Sequence, residues 1–165
     1  MIVSAVYRIG VLTLSDKGAQ GQRVDESGPL VGELLAGVGQ VTQVAMLPDD
    51  IASIVRLLID WSDRERLDLI VTTGGTGLTP RDVTPQATLE VLDYQIPGMA
   101  EVMRMQGLSK TPHAMLSRAV VGVRRRTMIV NLPGSPKAAR ENLQAILPAL
   151  PHALAKLAGD PSDCA

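Results

Sequence analysis

Short apolar runs rich in Val, Ile and Leu alternate with stretches of helical spacing along almost the whole chain. That alternation admits few folds. Strand, helix and strand joined by short loops pack as a mostly parallel sheet, and right-handed crossovers carry helices over both faces. The expected architecture is α/β: a three-layer α/β/α sandwich around a mostly parallel, mixed sheet. Tyr7 to Leu14, Val41 to Leu47 and Leu67 to Thr72 read as the first three strands. A helix is expected from about Ser27 to Val38, where Leu30, Leu34, Leu35 and Val38 keep helical spacing. A second follows Pro48-Asp49-Asp50, with Ile51, Ile54, Val55 and Leu58 on one face. Asp49 is its candidate N-cap, and Asp50 an acid of its first turn.

A third helix opens at Thr84-Pro85, a cap followed by proline at the first helical position. Pro97-Gly98 breaks the chain before a fourth, on which Met99, Val102, Met103 and Gln106 line one side. Ala119 to Val123 and Thr127 to Leu132 read as a hairpin around an exposed Arg124-Arg125-Arg126 turn. A helical pattern then runs from about Lys137 to Leu157. Pro148 and Pro151 split or kink it, since each costs about 3 kcal/mol in a helix interior.

A length of 165 residues suits one domain over 1–165, with 158–165 expected as a flexible tail. The core must be built from Val, Leu, Ile, Ala and Met, because there is no Phe and only one Trp, Trp61. So few aromatics argue against a base-stacking surface. A formal net charge of −1 supplies no field to recruit nucleic acid or a membrane. Cys164, the only cysteine, cannot form an internal disulfide, and His113 and His152 are isolated, so no zinc spacing is present. No secretory pattern opens the chain and no run reaches the ~20 apolar residues of a membrane span, which leads to the expectation of a cytoplasmic protein.

The chemistry concentrates in Thr72-Thr73-Gly74-Gly75-Thr76-Gly77-Leu78-Thr79-Pro80-Arg81-Asp82-Val83-Thr84-Pro85, which joins the third strand to the third helix. Glycines let backbone N–H groups approach an anion closely, and Asp82 adds a carboxylate suited to magnesium. The motif is neither of the common nucleotide fingerprints. No Gly-x-x-x-x-Gly-Lys is followed by Ser or Thr, and Gly75-Thr76-Gly77 has Pro80 where a dinucleotide loop needs its third glycine. Ligands of open α/β sheets bind beyond the carboxyl ends of the strands. Four loops leave such ends: Ser15-Asp16, Asp49-Asp50, the glycine loop with Asp82, and Asn131 to Lys137. If the strands are parallel, these open on one crevice suited to moving a phosphate-bearing group between anionic substrates.

These residues resemble the molybdopterin adenylyltransferases of molybdenum cofactor biosynthesis, a Mog/MoaB-like family. The resemblance covers nearly the whole chain. It rests on Thr13-Leu14-Ser15-Asp16, Pro48-Asp49-Asp50, Gly74 to Pro85, Pro97-Gly98-Met99-Ala100-Glu101, Ser117-Arg118 and Asn131-Leu132-Pro133-Gly134-Ser135-Pro136. It implies a molybdopterin-binding-domain-like fold and a homotrimer. It also implies a reaction in which the terminal phosphate of molybdopterin attacks the α-phosphate of ATP, with Mg2+ bound, and pyrophosphate leaves. On this resemblance Asp49 and Asp82 are catalytic and hold the magnesium. Ser15, Gly74, Gly75, Thr76, Gly77, Ser117, Asn131, Pro133, Gly134, Ser135 and Pro136 bind substrate. The product would be handed to a molybdenum-insertion protein. The alternative is a non-catalytic pterin-binding or scaffold homologue of the same fold.

Overall fold

The computed structural model describes residues 6–164. One six-stranded sheet organises them, in the order β2-β1-β3-β6-β5-β4. Its strands are β1 (Tyr7–Leu14), β2 (Gly39–Leu47), β3 (Leu69–Thr73), β4 (Tyr94–Gln95), β5 (Val121–Arg124) and β6 (Thr127–Leu132). The β2-β1, β1-β3 and β3-β6 pairs are parallel, and β5 is antiparallel to both β6 and β4. The sheet is therefore mixed and mostly parallel, as the alternation of elements predicts. The helices are α1 (Asp16–Ala19), α2 (Ser27–Leu35), α3 (Ile51–Ile59), α4 (Thr84–Val91), α5 (Pro97–Leu108), α6 (Pro136–Ile146) and α7 (Leu150–Ala158).

Side chains alternate across a strand, so each central strand feeds two cores. Ile9, Val11, Leu69, Val71, Met128 and Val130 pack on one face against α2, α5, α6 and α7. Leu12, Leu14, Ile70 and Ile129 pack on the other against α3, α4 and Trp61. Three layers result. All five residues of β3 are buried, which explains why its sequence reads as a continuous apolar run. Each such Leu, Ile or Val contributes about 1.5–3 kcal/mol of burial. Gly10 lets the Trp61 ring approach β1 closely, since a Cβ there would stand 2.7 Å from the ring.

Several local expectations are corrected. The N-cap of α3 is Asp50, whose carboxylate accepts from the Ser53 N–H at 2.9 Å and its hydroxyl at 2.6 Å. The Ser53 contacts hold the Asp50 carboxyl below the usual carboxylate range. Asp49 is turned instead toward the loop after β1. Thr84 lies inside α4, whose N-cap is Val83, and its hydroxyl donates to the Gly74 carbonyl at 2.9 Å. Helix α2 stops at Leu35 rather than Val38. Its first turn is capped from Asp25, which accepts from the Gly28 N–H at 2.9 Å.

Pro97 and Gly98 form the first turn of α5 instead of preceding it, and its buried face is Ala100, Met103 and Gly107. Val102 and Gln106 are exposed, and Gly107 is instead covered by Ala114 of the 3-10 turn Pro112–Leu116. Arg124 is not an exposed turn residue: it ends β5 and chelates Asp63 at 3.0 and 2.7 Å. The turn is made by Arg125, at φ 55°. The C-terminal pattern does split, with a 3-10 turn at Leu147–Ala149 between α6 and α7. Of the expected tail, Ala158 is the last residue of α7, Gly159 follows at φ 99°, and Ala165 lies outside the described residues. Among the described residues no helix is long and apolar enough to cross a membrane.

Candidate functional site

Parallel pairing aligns Leu14 with Leu47, Thr13 with Thr73, and Thr73 with Leu132. The loops after β1, β2, β3 and β6 therefore leave the same edge of the sheet. A cleft of about 940 Å³ opens there. Ser15, Asp49, Gly74, Gly75, Asp82, Gly134, Ser135 and Pro136 line it, and Asp16 and Thr79 join them. A second, more apolar cleft of about 440 Å³ lies across the glycine loop. Thr76, Gly77, Ser117 and Pro133 line this one, together with Leu78 and Met103. The glycine loop is thus a partition touching both clefts.

Asn131 lines neither cleft. It is fully buried in β6, where its amide donates to Thr72 Oγ1 at 3.1 Å and Thr88 Oγ1 at 3.0 Å. Its carbonyl accepts from the Val120 N–H at 3.2 Å. Both faces of β6 are covered, which holds Asn131 in the core and away from the ligand surface, so its expected place among the substrate contacts is corrected to a core polar junction.

The glycine loop is shaped by two positive φ angles, 101° at Gly74 and 69° at Gly75, a region where a Cβ is disfavoured. Its carbonyls are spoken for from within. Gly74 O accepts from Thr84 Oγ1 at 2.9 Å, and Gly75 O from the Thr84 N–H at 3.1 Å. Thr76 O accepts from the Arg118 N–H at 3.0 Å, and Gly77 O from Arg118 Nε at 2.9 Å. The N–H groups of Gly75, Thr76 and Gly77 donate to nothing among the described residues. Such successive free amides form an anion-binding concavity. The facing loop is held in the same manner: Thr73 Oγ1 donates to Pro133 O at 2.8 Å, and Ser27 Oγ to Gly134 O at 2.7 Å. Ser135 caps α6 by accepting from the Ala138 N–H at 3.1 Å.

The carboxylates sit opposite. Asp16 and Asp49 exchange hydrogen bonds: Asp16 Oδ1 accepts from the Asp49 N–H at 3.0 Å, and Asp49 Oδ2 from the Asp16 N–H at 3.3 Å. Arg81 chelates Asp16 with two contacts of 2.8 Å. That guanidinium, with the Asp49 N–H, holds the Asp16 carboxyl below the usual range. Asp82 Oδ2 accepts from the Thr79 N–H at 3.0 Å and its hydroxyl at 2.7 Å. Asp49 Oδ1 is buried with no hydrogen-bond partner. Burial, then the nearby Asp16 charge, raises the Asp49 pKa, and Asp82 adds to this.

An unpartnered buried carboxylate oxygen is costly unless something positive meets it. Among the described residues no group of three or more His, Cys, Asp or Glu is placed to hold a metal. Two carboxylates lining one cleft suit Mg2+, which takes one or two from the protein and completes its shell with water and phosphate oxygens. Asp49 and Asp82 fit that donor set.

The raised Asp49 pKa has a testable sign. The folded chain binds this proton more tightly than the unfolded one, so the ionised group lowers stability as pH rises through its folded pKa. Asp49→Asn keeps an oxygen for the Asp16 N–H and removes the charge. In metal-free buffer the variant is expected to melt above the native chain at pH 7. The difference should close as pH falls below about 4. Calorimetry across that range checks it, and an equal or lower melting temperature at pH 7 removes the claim of an unfavourable buried charge.

Three contributors are not among the expected site residues. Thr79 carries a local signal, its three-residue spacing from Asp82. Arg118 lies in the Ser117-Arg118 motif, but its partners stand 36–41 positions away, and Ser27 carries no signal, because it meets the site from 107 positions away.

Comparisons with known proteins agree with this geometry. The family described as "Probable molybdopterin binding domain" matches residues 10–152. The gephyrin of Dictyostelium discoideum is 41% identical over 93% of this chain, which spans only 23% of gephyrin's own length. The molybdopterin adenylyltransferase of Helicobacter pylori is 40% identical, covering 92% of this chain and 88% of its own. The crystal structure of the molybdopterin biosynthesis enzyme MoaB from Thermus thermophilus superposes with a TM-score of 0.88 at 55% identity, over 95% of this chain and 99% of that one. With its fold, its glycine loop and its matched span all in accord, the chain belongs to the molybdopterin-binding domain family of molybdenum cofactor biosynthesis.

Proposed function

We propose that this chain is a nucleotidyltransferase that adenylylates molybdopterin. The observation that carries the reading is a row of free backbone amides standing between two clefts, with paired carboxylates on one side only. The larger, acidic cleft takes ATP. The smaller, apolar cleft takes the pterin, and its phosphate rests on the Thr76–Gly77 amides, next to the Gly74–Gly75 edge of the larger cleft. A phosphate oxygen of molybdopterin forms the new bond to the α-phosphorus of ATP. The bond from that phosphorus to the bridging oxygen breaks, and pyrophosphate leaves with the electron pair.

Both reactants are anionic, so the barrier is charge repulsion and alignment. A phosphate monoester is already nucleophilic near neutral pH, and no side chain needs to take a proton. Asp49 and Asp82 would hold Mg2+, which when bound neutralises charge on the triphosphate. The Gly75, Thr76 and Gly77 amides fix the acceptor phosphate, and Ser15 and Ser135 stand at the rim of the larger cleft to meet the nucleotide. The names of the Helicobacter and Thermus relatives support the substrate class.

The proposal extends to a cytoplasmic homotrimer that passes its product to a molybdenum-insertion protein. An apolar surface on α5 and the following turn supports self-association: Val102, Met105, Leu108, Met115 and Leu116 are 41–68% exposed. Sedimentation should then read three times the 17.5 kDa chain mass, and a monomer at working concentrations removes the trimer. The enzyme reading is tested by incubating the chain with molybdopterin, ATP and Mg2+ and detecting adenylyl-molybdopterin and pyrophosphate by mass. Pterin binding without either product would make the chain a binding-only homologue.

A further inference from the structure

We infer that Arg118 is a positioning residue whose guanidinium orients the amides of the glycine loop and sets the main-chain position of Asp82. The inference rests on the adenylyl-transfer reading for its kinetic consequences and on geometry alone for the rest. Arg118 stands between the Pro112–Leu116 turn and β5, directly after Ser117 of the smaller cleft. All its polar contacts fall on one segment. Its N–H donates to Thr76 O at 3.0 Å, Nε to Gly77 O at 2.9 Å, Nη2 to Asp82 O at 2.7 Å and Nη1 to Gln86 Oε1 at 3.2 Å.

Between Gly77 and Asp82 that segment has little else to hold it. Leu78 to Arg81 are exposed. Its other anchors are the turn from Thr79 to Asp82 and the Arg81–Asp16 pair at the surface. A trans peptide plane fixes the N–H opposite the C=O. By drawing the Thr76 and Gly77 carbonyls toward itself, Arg118 turns the Gly77 and Leu78 N–H groups the other way, to the side where an anion binds. Holding the Asp82 carbonyl does the same for the backbone that carries the carboxylate. The planar fork reaches several acceptors at fixed angles, which an ammonium point charge cannot. The positive charge also lies behind the amides, adding to their attraction for phosphate.

The test is steady-state kinetics of the native chain, Arg118→Lys and Arg118→Ala, each with and without about 10 mM guanidinium, alongside thermal melts. Misplacement of reacting groups by about 1 Å costs roughly 10²-fold. Both variants are expected to lose about 10²-fold in kcat, with KM for ATP changed less than about threefold, because Arg118 lines neither cleft and acts only through the placement of the loop. Guanidinium is expected to restore Arg118→Ala by at least about tenfold and to leave Asp82→Asn inactive. A kcat within about threefold of native overturns the inference, as does a loss that guanidinium fails to restore. If the native chain makes no product, the reaction reading fails by itself. Pyrophosphate titration then decides the inference, with a Kd about tenfold weaker in Arg118→Ala expected and an unchanged Kd overturning it.

Discussion

Asp82→Asn is expected to lower adenylyl transfer about 10³-fold while the chain stays folded and still binds pterin phosphate. The magnitude follows from what is lost. One negative charge disappears from the pair that would hold Mg2+, and electrostatic stabilisation of a phosphoryl transition state is worth several kcal/mol. The shape is kept. Asn offers one oxygen in place of two, enough to accept from the Thr79 N–H or hydroxyl that Asp82 Oδ2 now holds. The amides of Gly75, Thr76 and Gly77 do not depend on that side chain, because their carbonyls are held by Thr84 and Arg118. Binding and turnover should therefore separate. The assay is mass detection of the adenylylated product, with pterin binding followed by fluorescence. Turnover within about tenfold of native would remove Asp82 from the chemistry. Loss of binding and turnover together would show instead that it shapes the cradle.

Asp49→Asn should also lose activity, yet differ in stability. Asp82 is partly exposed and satisfied by Thr79, whereas Asp49 carries a buried oxygen with no partner and a pKa raised by that burial. The proposed function would account for an arrangement that stability alone would not select: a carboxylate kept for a cation leaves the fold less stable while the cation is absent.

What could be read from the chain was local. Tyr7–Leu14 has the bounds its apolar run suggests, and the glycine loop follows a buried strand as expected. The failures lie where two adjacent residues are chemically alike and a distant contact chooses between them. Asp49 and Asp50 have equal capping propensity. The loop after β1 claims Asp49 through Asp16, 33 residues earlier, and leaves Asp50 to cap. Thr84 and Pro85 have the composition of a cap and first turn, but the Thr84 hydroxyl is taken by Gly74. Arg124 reads as a turn residue until Asp63, 61 residues away, pairs with it. That contact lifts the Arg124 pKa and holds the Asp63 carboxyl low. The resemblance puts Asn131 among the substrate contacts with Pro133 and Gly134. Its burial follows from its place in a central strand covered on both faces, all six residues of which are buried. Strand β4 is two residues long, and α1 is one turn, too short for periodicity to register.

Gly74→Ala is expected to cost the chain about 3 kcal/mol or more, because two penalties act together. The first is conformational: φ is 101° at Gly74, and left-handed backbone costs an L-residue roughly 1–2 kcal/mol. The second is steric. A Cβ at this position would lie 2.2 Å from the carbonyl oxygen of Leu14, and that oxygen belongs to backbone at the end of β1. No side-chain rotation relieves it. Either β1 or the glycine loop must move, and both are pinned: the Gly74 N–H donates to Leu132 O at 3.0 Å, and Leu14 is paired in register with Leu47. Near 2–4 °C per kcal/mol for a chain of this size, the melting temperature should fall by about 10 °C. Activity should fall further than stability, since Leu14 leads directly into Ser15 and Asp16. Gly98→Ala is the matched control. A Cβ there meets nothing within 4 Å, and the residue lies in the first turn of α5, where alanine is about 0.5–1 kcal/mol the better helix former. A chain carrying Gly74→Ala that melts with the control would mean that the loop can retreat from β1, and the close approach that builds the cleft would not need glycine at all.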